Sequence, residues 1–287
     1  DDAISKYEQA ANLDPENHRI QWRLMQMYKK KEQWDKVVAA AAKGEKKWTC
    51  ELGEGECVDT PPLVQDLDGD GVPEIVVGTF GGNLQIIKAD GTLTRTIHLA
   101  KGAVQSCPTF ALLGEARTPG LIAGLFGGDN TFHAMAVADG RELFTVATKG
   151  HIYHGLASAD LDGDGRADFV GCSYDGKVYA FDAMGKGLWT AKTGDGYFMS
   201  PASLADLNHD GKPEVIVASD RVSVLRHDGT VVFSVPAKPK AQGWGITRGA
   251  SIADLDGDGI PDLVTVDGCA TLTVRRGSDG AVLATFE

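Results

Sequence analysis

Four short acidic segments constrain this chain more than anything else in it. Asp66-Leu67-Asp68-Gly69-Asp70-Gly71-Val72-Pro73-Glu74 returns in near-identical form from Asp160, Asp206 and Asp254. The first two lie 94 residues apart and the next gaps are 46 and 48, so the longer gap is two of the same units. The member that lacks the acids is still visible. Pro119-Gly120-Leu121-Ile122-Ala123-Gly124 matches Pro73-Glu74-Ile75-Val76-Val77-Gly78 at an offset of 46. Within each unit a strand leads into the acidic loop and a second leaves it, as in Ile75-Val76-Val77. A third follows a glycine turn (Leu84-Gln85-Ile86-Ile87), and an Asp-Gly turn starts a fourth (Asp90-Gly91, Asp139-Gly140, Asp228-Gly229, Asp279-Gly280). Short Val/Ile/Leu runs broken by Gly, Asp and Pro are strand texture.

Five units of about 47 residues with four short strands each carry the signature of propeller blades. The 36 glycines suit a fold with that many tight turns. The expected fold is mainly β: a β-propeller of at least five four-stranded blades over residues 46–287, preceded by an α-helical hairpin over residues 1–45. Trp48-Thr49-Cys50-Glu51 resembles Trp189-Thr190-Ala191-Lys192 and reads as an additional fourth strand ahead of the first unit. The fifth unit already has its own, from Ala281 to Phe286, so either that strand starts an open array or, as favoured here, further blades are expected beyond Glu287.

The helical expectation rests on Ala3, Tyr7, Ala10 and Pro15, a turn at Leu13-Asp14-Pro15-Glu16-Asn17, and an apolar stripe of Leu24, Tyr28, Trp34, Val37 and Ala41. Ala3 and Val37 stand 34 residues apart. The segment resembles the tetratricopeptide repeat, with Gln21 and Met25 in place of its usual Trp and Gly. Asp1 then falls inside a repeat, so upstream sequence, including any targeting signal, is expected. The stripe also offers a surface for joining a larger assembly.

The acidic segments have the chemistry of a calcium loop. Calcium takes six to eight oxygens, and a tightly coiled loop with Gly at its sixth position converges those of positions 1, 3 and 5. The expected ligands are Asp66, Asp68 and Asp70; Asp160, Asp162 and Asp164; Asp206, Asn208 and Asp210; and Asp254, Asp256 and Asp258. Position 7 (Val72, Arg166, Lys212, Ile260) offers a carbonyl, and position 9 (Glu74, Asp168, Glu214, Asp262) closes the site. Up to four calcium ions are implied. An EF-hand would need Glu at position 12, where Val77, Gly171, Val217 and Thr265 stand inside strand runs. In the second unit Leu112, Gly114, Ala116 and Gly120 hold the ligand positions and cannot bind the ion, so calcium would brace single blades without defining the fold.

The segment D-L-D-G-D-G-x-x-[E/D]-[I/L/F]-V resembles the FG-GAP or VCBS repeat, the propeller repeat of integrin α-subunits and many bacterial surface proteins. In that family the metal sits between the first two strands of a blade. One stretch, Gly176 to Ala183 followed by Leu188-Trp189, is similar to blades of quinoprotein dehydrogenases and outer-membrane assembly propellers, and reads as blade packing.

Charge supports a local role for the acids. The net charge is -12, whereas the loops hold fifteen carboxylates, four in each except the third, which has three. Four calcium ions would bring the net charge to about -4. Such a chain is a poor partner for nucleic acid or anionic membrane, and no apolar run approaches the roughly 20 residues of a membrane span. The five cysteines form no CxxC motif, which argues against structural zinc. Cys172 and Cys269 read as buried strand residues, and Cys50 and Cys57 are close enough to pair in an oxidising compartment.

The face opposite the loops is formed by connectors that lead into each first strand. Six residues before each motif position stand Thr60, Ser106, His154, Ser200 and Arg248, with His151, Tyr153, Tyr197 and Trp244 further upstream. His151, Tyr153, His154, Tyr197, Trp244 and Arg248 are the candidate ligand face. His151-x-x-His154 has no carboxylate at useful spacing, so a metal pair is disfavoured. No G-x-S-x-G, Cys/His dyad or phosphate-cradling loop is present.

The leading expectation is a non-enzymatic extracytoplasmic scaffold or adhesion module, periplasmic, cell-surface or secreted, that binds protein or glycan. Sites of this kind suit millimolar calcium. The alternatives are a calcium-dependent polysaccharide-acting enzyme, either a lyase with Arg248 or His154 as its basic residue or a hydrolase whose Asp/Glu pair the sequence does not separate from the calcium ligands, and a quinoprotein-like propeller.

Overall fold

The computed structural model describes residues 48–54, 56–237, 246, 248–268 and 271–286. The expected helical segment 1–45, Trp244 and Cys269 lie outside the described residues. Every described strand falls in the compact unit Glu51–Glu287.

Five four-stranded antiparallel sheets follow one another in chain order. The first comprises β1 (Leu63–Gln65), β2 (Glu74–Gly78), β3 (Asn83–Ile87) and β4 (Leu93–His98). The second is β5 (Thr109–Leu113), β6 (Thr118–Gly124), β7 (Thr131–Ala136) and β8 (Glu142–Ala147). The third is β9 (Ala157–Ala159), β10 (Asp168–Cys172), β11 (Lys177–Phe181) and β12 (Gly187–Lys192). The fourth is β13 (Ser203–Ala205), β14 (Glu214–Ala218), β15 (Arg221–Leu225) and β16 (Val231–Pro236), and the fifth β17 (Ser251–Ala253), β18 (Asp262–Val266), β19 (Leu272–Arg275) and β20 (Val282–Phe286). Each sheet is a simple meander, so the connection from the first to the second strand and the turn from the third to the fourth share one end. The hairpin from the second to the third strand and the connector to the next sheet share the other.

Trp48-Thr49-Cys50-Glu51 forms no strand, contrary to the sequence expectation. Its likeness to β12 is confined to residue types. No disulfide joins Cys50 to Cys57, the pairing considered from sequence, whereas Cys172 is buried in β10 as expected.

Alternating side chains bind the sheets to one another face to face. Leu121, Ala123 and Met135 of the second sheet pack with Val76, Leu84 and Ile86 of the first. Ile122, Phe132 and Ala134, on its other face, pack with Phe169 and Phe181 of the third. Val170 and Val178 then meet Val215 and Leu225 of the fourth, whose Ile216 and Val224 meet Leu263 of the fifth. A strand covered on both faces has no polar alternation to show, and β10 and β14 are buried along their whole length. In contrast β2 alternates buried and half-buried residues, because the described sheets cover only one of its faces.

Two details repeat. Each sheet carries a register shift between its third and fourth strands, at Ile86/Ile87, Ala134/Met135, Ala180/Phe181, Val224/Leu225 and Val274/Arg275. Beside it, a fourth-strand side chain covers the turn glycine of the following sheet. Phe144 lies on Gly185, Trp189 on Gly229 and Phe233 on Gly280, where a Cβ would meet ring carbons at 2.4, 2.7 and 2.6 Å. Trp189 is also pinned by its indole N–H, which donates to the His227 carbonyl (2.7 Å). The Trp189 stretch is therefore blade packing, as read from sequence. Arg95 stands at the matching register of the first sheet. There Ile97 reaches Gly140 at an ordinary 3.4 Å, and a cavity of about 290 Å³ lies beside Ile86, Arg95, Val137 and Ala138.

Candidate metal loops and binding face

The four acidic segments are the connections β1–β2, β9–β10, β13–β14 and β17–β18. They share one internal wiring. In the loop from Asp160, that residue accepts from Gly163 N (2.7 Å) and Gly165 N (2.9 Å), Asp162 accepts from Asp164 N (3.0 Å), and Asp164 accepts from Arg166 N (2.8 Å). Asp168, the position-9 residue at the start of β10, accepts from Leu161 N (2.8 Å). The loops from Asp66 and Asp254 repeat this set. Positions 4 and 6 are left-handed: Gly163 and Gly165 have φ of 86° and 79°. Sequence reasoning asked for glycine only at position 6. Position 4 was signalled by Gly69, Gly163 and Gly257, while His209 takes the same conformation at φ 59°.

The carboxylates converge. Oxygens of Asp66, Asp68 and Asp70 lie within 4.8 Å of one another, as do those of Asp160, Asp162 and Asp168, and of Asp254, Asp256 and Asp262. Two ligands each about 2.4 Å from one ion can be no further apart than this. Position 9 supplies the clearest sign of an unmet charge. Asp168 and Asp262 are buried, and the Oδ1 atom of each has no hydrogen-bond partner. A buried carboxylate oxygen in that state costs free energy unless a cation or a proton joins it. Burial pushes the Asp168 carboxyl up to about 6, and the charges of Asp162 and Asp164 add to the effect.

The loop from Asp206 differs. Asn208 donates through Nδ2 to Glu214 Oε1 (2.8 Å), while Leu207 N donates to Oε2 (2.8 Å), so both Glu214 oxygens are engaged. Burial still raises the Glu214 carboxyl, with Asp210 and Asp206 contributing. His209 Nε2 lies 2.8 Å from the Gly259 carbonyl, which joins this loop to the one from Asp254. At position 7, the N–H groups of Val72, Arg166, Lys212 and Ile260 are held by the position-5 carboxylates. In the second sheet the loop shrinks to a tight turn over residues 114–117, closed by Arg117 N donating to Gly114 O (3.2 Å).

The other end carries a cluster of rings. Phe126 sits edge-on to Tyr153 and to Tyr174, with centroids 5.6 Å away in both cases. Tyr153 and Tyr174 are nearly parallel (23°) at 6.4 Å, and Tyr197 lies 5.0 Å from Tyr174. His151 lies 5.0 Å from Phe126, and His154 lies 4.8 Å from Tyr153. Burial raises the Tyr174 phenol, and the neighbouring phenols of Tyr153 and Tyr197 raise it further. Four of the six sequence candidates are thus brought together, with Phe126 and Tyr174 added. Arg248 is exposed on the connector to β17. Phe126 and Tyr174 stand fourteen residues after Leu112 and Asp160, at the turn that holds Phe80 in the first sheet. That offset was the signal by which they could have been found.

Most residues six before the motif position are structural clips. Ser106 Oγ donates to Gly124 O (3.0 Å) and accepts from Gly124 N (2.9 Å); Thr60 accepts from Gly78 N (3.4 Å); Ser200 donates to Ala218 O. In the third sheet His154 takes this position.

Residues 160–217 and 206–265 match the FG-GAP-like repeat family, so the chain carries FG-GAP-like repeats there. No curated protein sequence matches the chain. Among solved structures it is similar to BamB from Moraxella catarrhalis (16% identity, TM-score 0.59, covering 80% of this chain). It also resembles the WD40 β-propeller domain of Doa1 (13%, 0.55, 82% of this chain and 70% of that one). A third is the V. cholerae biofilm matrix protein Bap1 (19%, 0.62, 84% of this chain and 41% of that one). The chain spans 61% of the BamB chain. At these identities the likeness shows the fold: the five sheets are propeller-like blades. No described helix is long and apolar enough to cross a membrane.

Proposed function

We propose that the chain is a calcium-braced, non-catalytic binding module that works outside the cytoplasm and engages a protein or glycan partner through the face opposite its acidic loops. The observation that carries this is the division between the two ends of the blades. One end holds converging carboxylates, with buried oxygens at Asp168 and Asp262 that lack partners. The other gathers partly buried aromatic rings with Tyr197 exposed at their edge.

The donor set fits calcium. It is all oxygen, carboxylate-rich and wound on a loop whose left-handed positions fix its coil. Asp66, Asp68, Asp70 and Glu74 would hold the ion in the first blade, Asp160, Asp162, Asp164 and Asp168 in the third, and Asp254, Asp256, Asp258 and Asp262 in the fifth. Asp206, Asn208, Asp210 and Glu214 form a fourth site with one neutral ligand. Calcium would neutralise the carboxylates and rigidify the loop at the mouth of each second strand. Weak sites of this kind fill at millimolar calcium, as found outside cells, and a biofilm matrix protein among the fold neighbours fits such a setting. The second blade, with no acid at a ligand position, would fold without the ion.

Calorimetry with calcium and with chelator tests the proposal. Calcium should raise the melting temperature, and chelation should leave the β signal intact. A chelated protein that melts no earlier than the calcium form refutes the brace.

A further inference from the structure

We propose that the ring cluster of Phe126, His151, Tyr153, His154, Tyr174 and Tyr197 is a docking platform for a neutral glycan chain. This rests on the binding-module proposal and gives the partner a chemical class.

The side chains are the first reason. Tyrosine and histidine present an apolar ring with a polar tip, which matches a sugar, whose ring has C–H faces and a rim of hydroxyls. A partner helix would instead call for aliphatic pockets, and the cluster contains no aliphatic side chain. An anionic chain would call for Lys or Arg, and the ring contacts among the described residues include neither. The neighbouring carboxylate, Asp175, is already engaged by the Tyr179 hydroxyl and by Lys149 N (3.1 Å), so it offers little to a cation.

Geometry is the second. Tyr153, Tyr174 and Tyr197 follow one another across the connectors on either side of the third blade, at 6.4 and 5.0 Å between centroids. Phe126 backs the first two edge-on. Such a row can meet successive sugar rings of one chain. The backbone beneath is fixed by Tyr174 N donating to His151 O (2.9 Å) and Ile152 N donating to Leu125 O (3.1 Å). Little ordering entropy would be lost on binding. The buried Nδ1 of His151 has no hydrogen-bond partner, which leaves a polar group in the cluster to be satisfied.

The third reason is departure from the repeat. The first, second and fourth blades place a hydroxyl clip six residues before the motif position, and the third places His154 there. At the turn fourteen residues after that position the five blades read Phe80, Phe126, Tyr174, Asp220 and Gly268. The fold tolerates all five, so the aromatic choice in neighbouring blades is not forced by packing. Local departures from a repeated rule mark functional positions.

Affinity electrophoresis of the calcium-loaded full chain in gels holding galactomannan, glucomannan, dextran or alginate tests this. Retardation by at least one of the neutral polysaccharides and none by alginate is expected. Tyr197→Ala, at an exposed ring, and Tyr174→Ala should weaken the retardation about ten-fold or more. Val231→Ser, on the outer strand of the fourth blade, should not. Melting temperatures identify any variant that fails to fold, and Tyr197→Ala carries the test if Tyr174→Ala does. Retardation by no neutral polysaccharide, by alginate alone, or equally in Tyr197→Ala and the unaltered chain overturns the glycan platform. If calcium still raises the melting temperature in that case, the brace stands and the glycan alone falls. A falling viscosity of the retarding polysaccharide would instead remove the non-catalytic reading.

Discussion

Replacing the turn glycines one at a time separates two costs that the repeat superimposes. Gly140, Gly185, Gly229 and Gly280 all open the fourth strand of their blades at φ between 73° and 85°. Alanine at any of them suffers the left-handed backbone penalty of about 1 kcal/mol. The space above them differs. At Gly185 the new Cβ would lie 2.4 Å from Phe144 Cδ2, and at Gly229 it would lie 2.7 Å from Trp189 Cδ2. The indole cannot withdraw without losing its bond to the His227 carbonyl. Overpacking of this kind adds about 1–3 kcal/mol. At Gly140 the nearest atom is Ile97 Cγ1 at 3.4 Å, an ordinary contact, so nothing is added. Gly185→Ala and Gly229→Ala should therefore cost about 2–4 kcal/mol against about 1 for Gly140→Ala. In thermal melts this is a drop of roughly 4–16 °C against 2–4 °C, at the slope for a large domain. Trp189→Ala should also couple to Gly229→Ala, so that the double variant loses less than the sum. Equal losses at all four glycines would show that only backbone conformation matters and that the ring-on-glycine contact contributes nothing.

Asp168→Asn should change sign with calcium. Its carboxyl is raised in the folded chain to about 6 from an ordinary 3.8, so its stabilising contribution is complete below the unfolded value and is lost as pH rises through 6. Metal-free protein at pH 7.5 should thus gain up to about 3 kcal/mol from Asp168→Asn and nothing near pH 3, while calcium-loaded protein should lose stability, as parallel melts would reveal. Asn208→Asp removes the amide that satisfies Glu214 and adds a charge; in titration calorimetry it should tighten calcium binding, and in chelator it should lower the melting temperature. Ser106→Ala leaves the Gly124 N–H buried without its partner and should cost about 1–3 kcal/mol in urea unfolding.

Much of the architecture was legible because the acidic loop is a metronome. Glycine at the coil positions and the Asp-Gly turn are demands of backbone conformation, and such demands survive in residue identity. The second blade was found without its acids for the same reason, since Pro119 to Gly124 keeps the strand. Residues that act through distant partners were harder. Thr60, Ser106 and Ser200 looked like rim residues, yet their hydroxyls clip backbone eighteen positions on, across a loop whose closure has to be known first. Trp48 failed in the other direction, because residue likeness to Trp189 does not by itself make a strand. Phe126 and Tyr174 escaped because the ligand face was sought only upstream of the motif, whereas a meander returns to that face at its second hairpin.

The register shift shared by all five sheets bears on solubility. A meander leaves its fourth strand with one unpaired row of N–H and C=O groups, and β16 and β20 expose Val231, Val232, Val282, Leu283 and Phe286 along theirs. Five such rows on one molecule would be templates for fibril-like growth between copies. A bulge twists an outer strand away from its sheet and spoils the flat edge that another strand must match. Its recurrence at the same step in every sheet blunts each row separately, so a propeller with apolar margins can remain dispersed at high concentration.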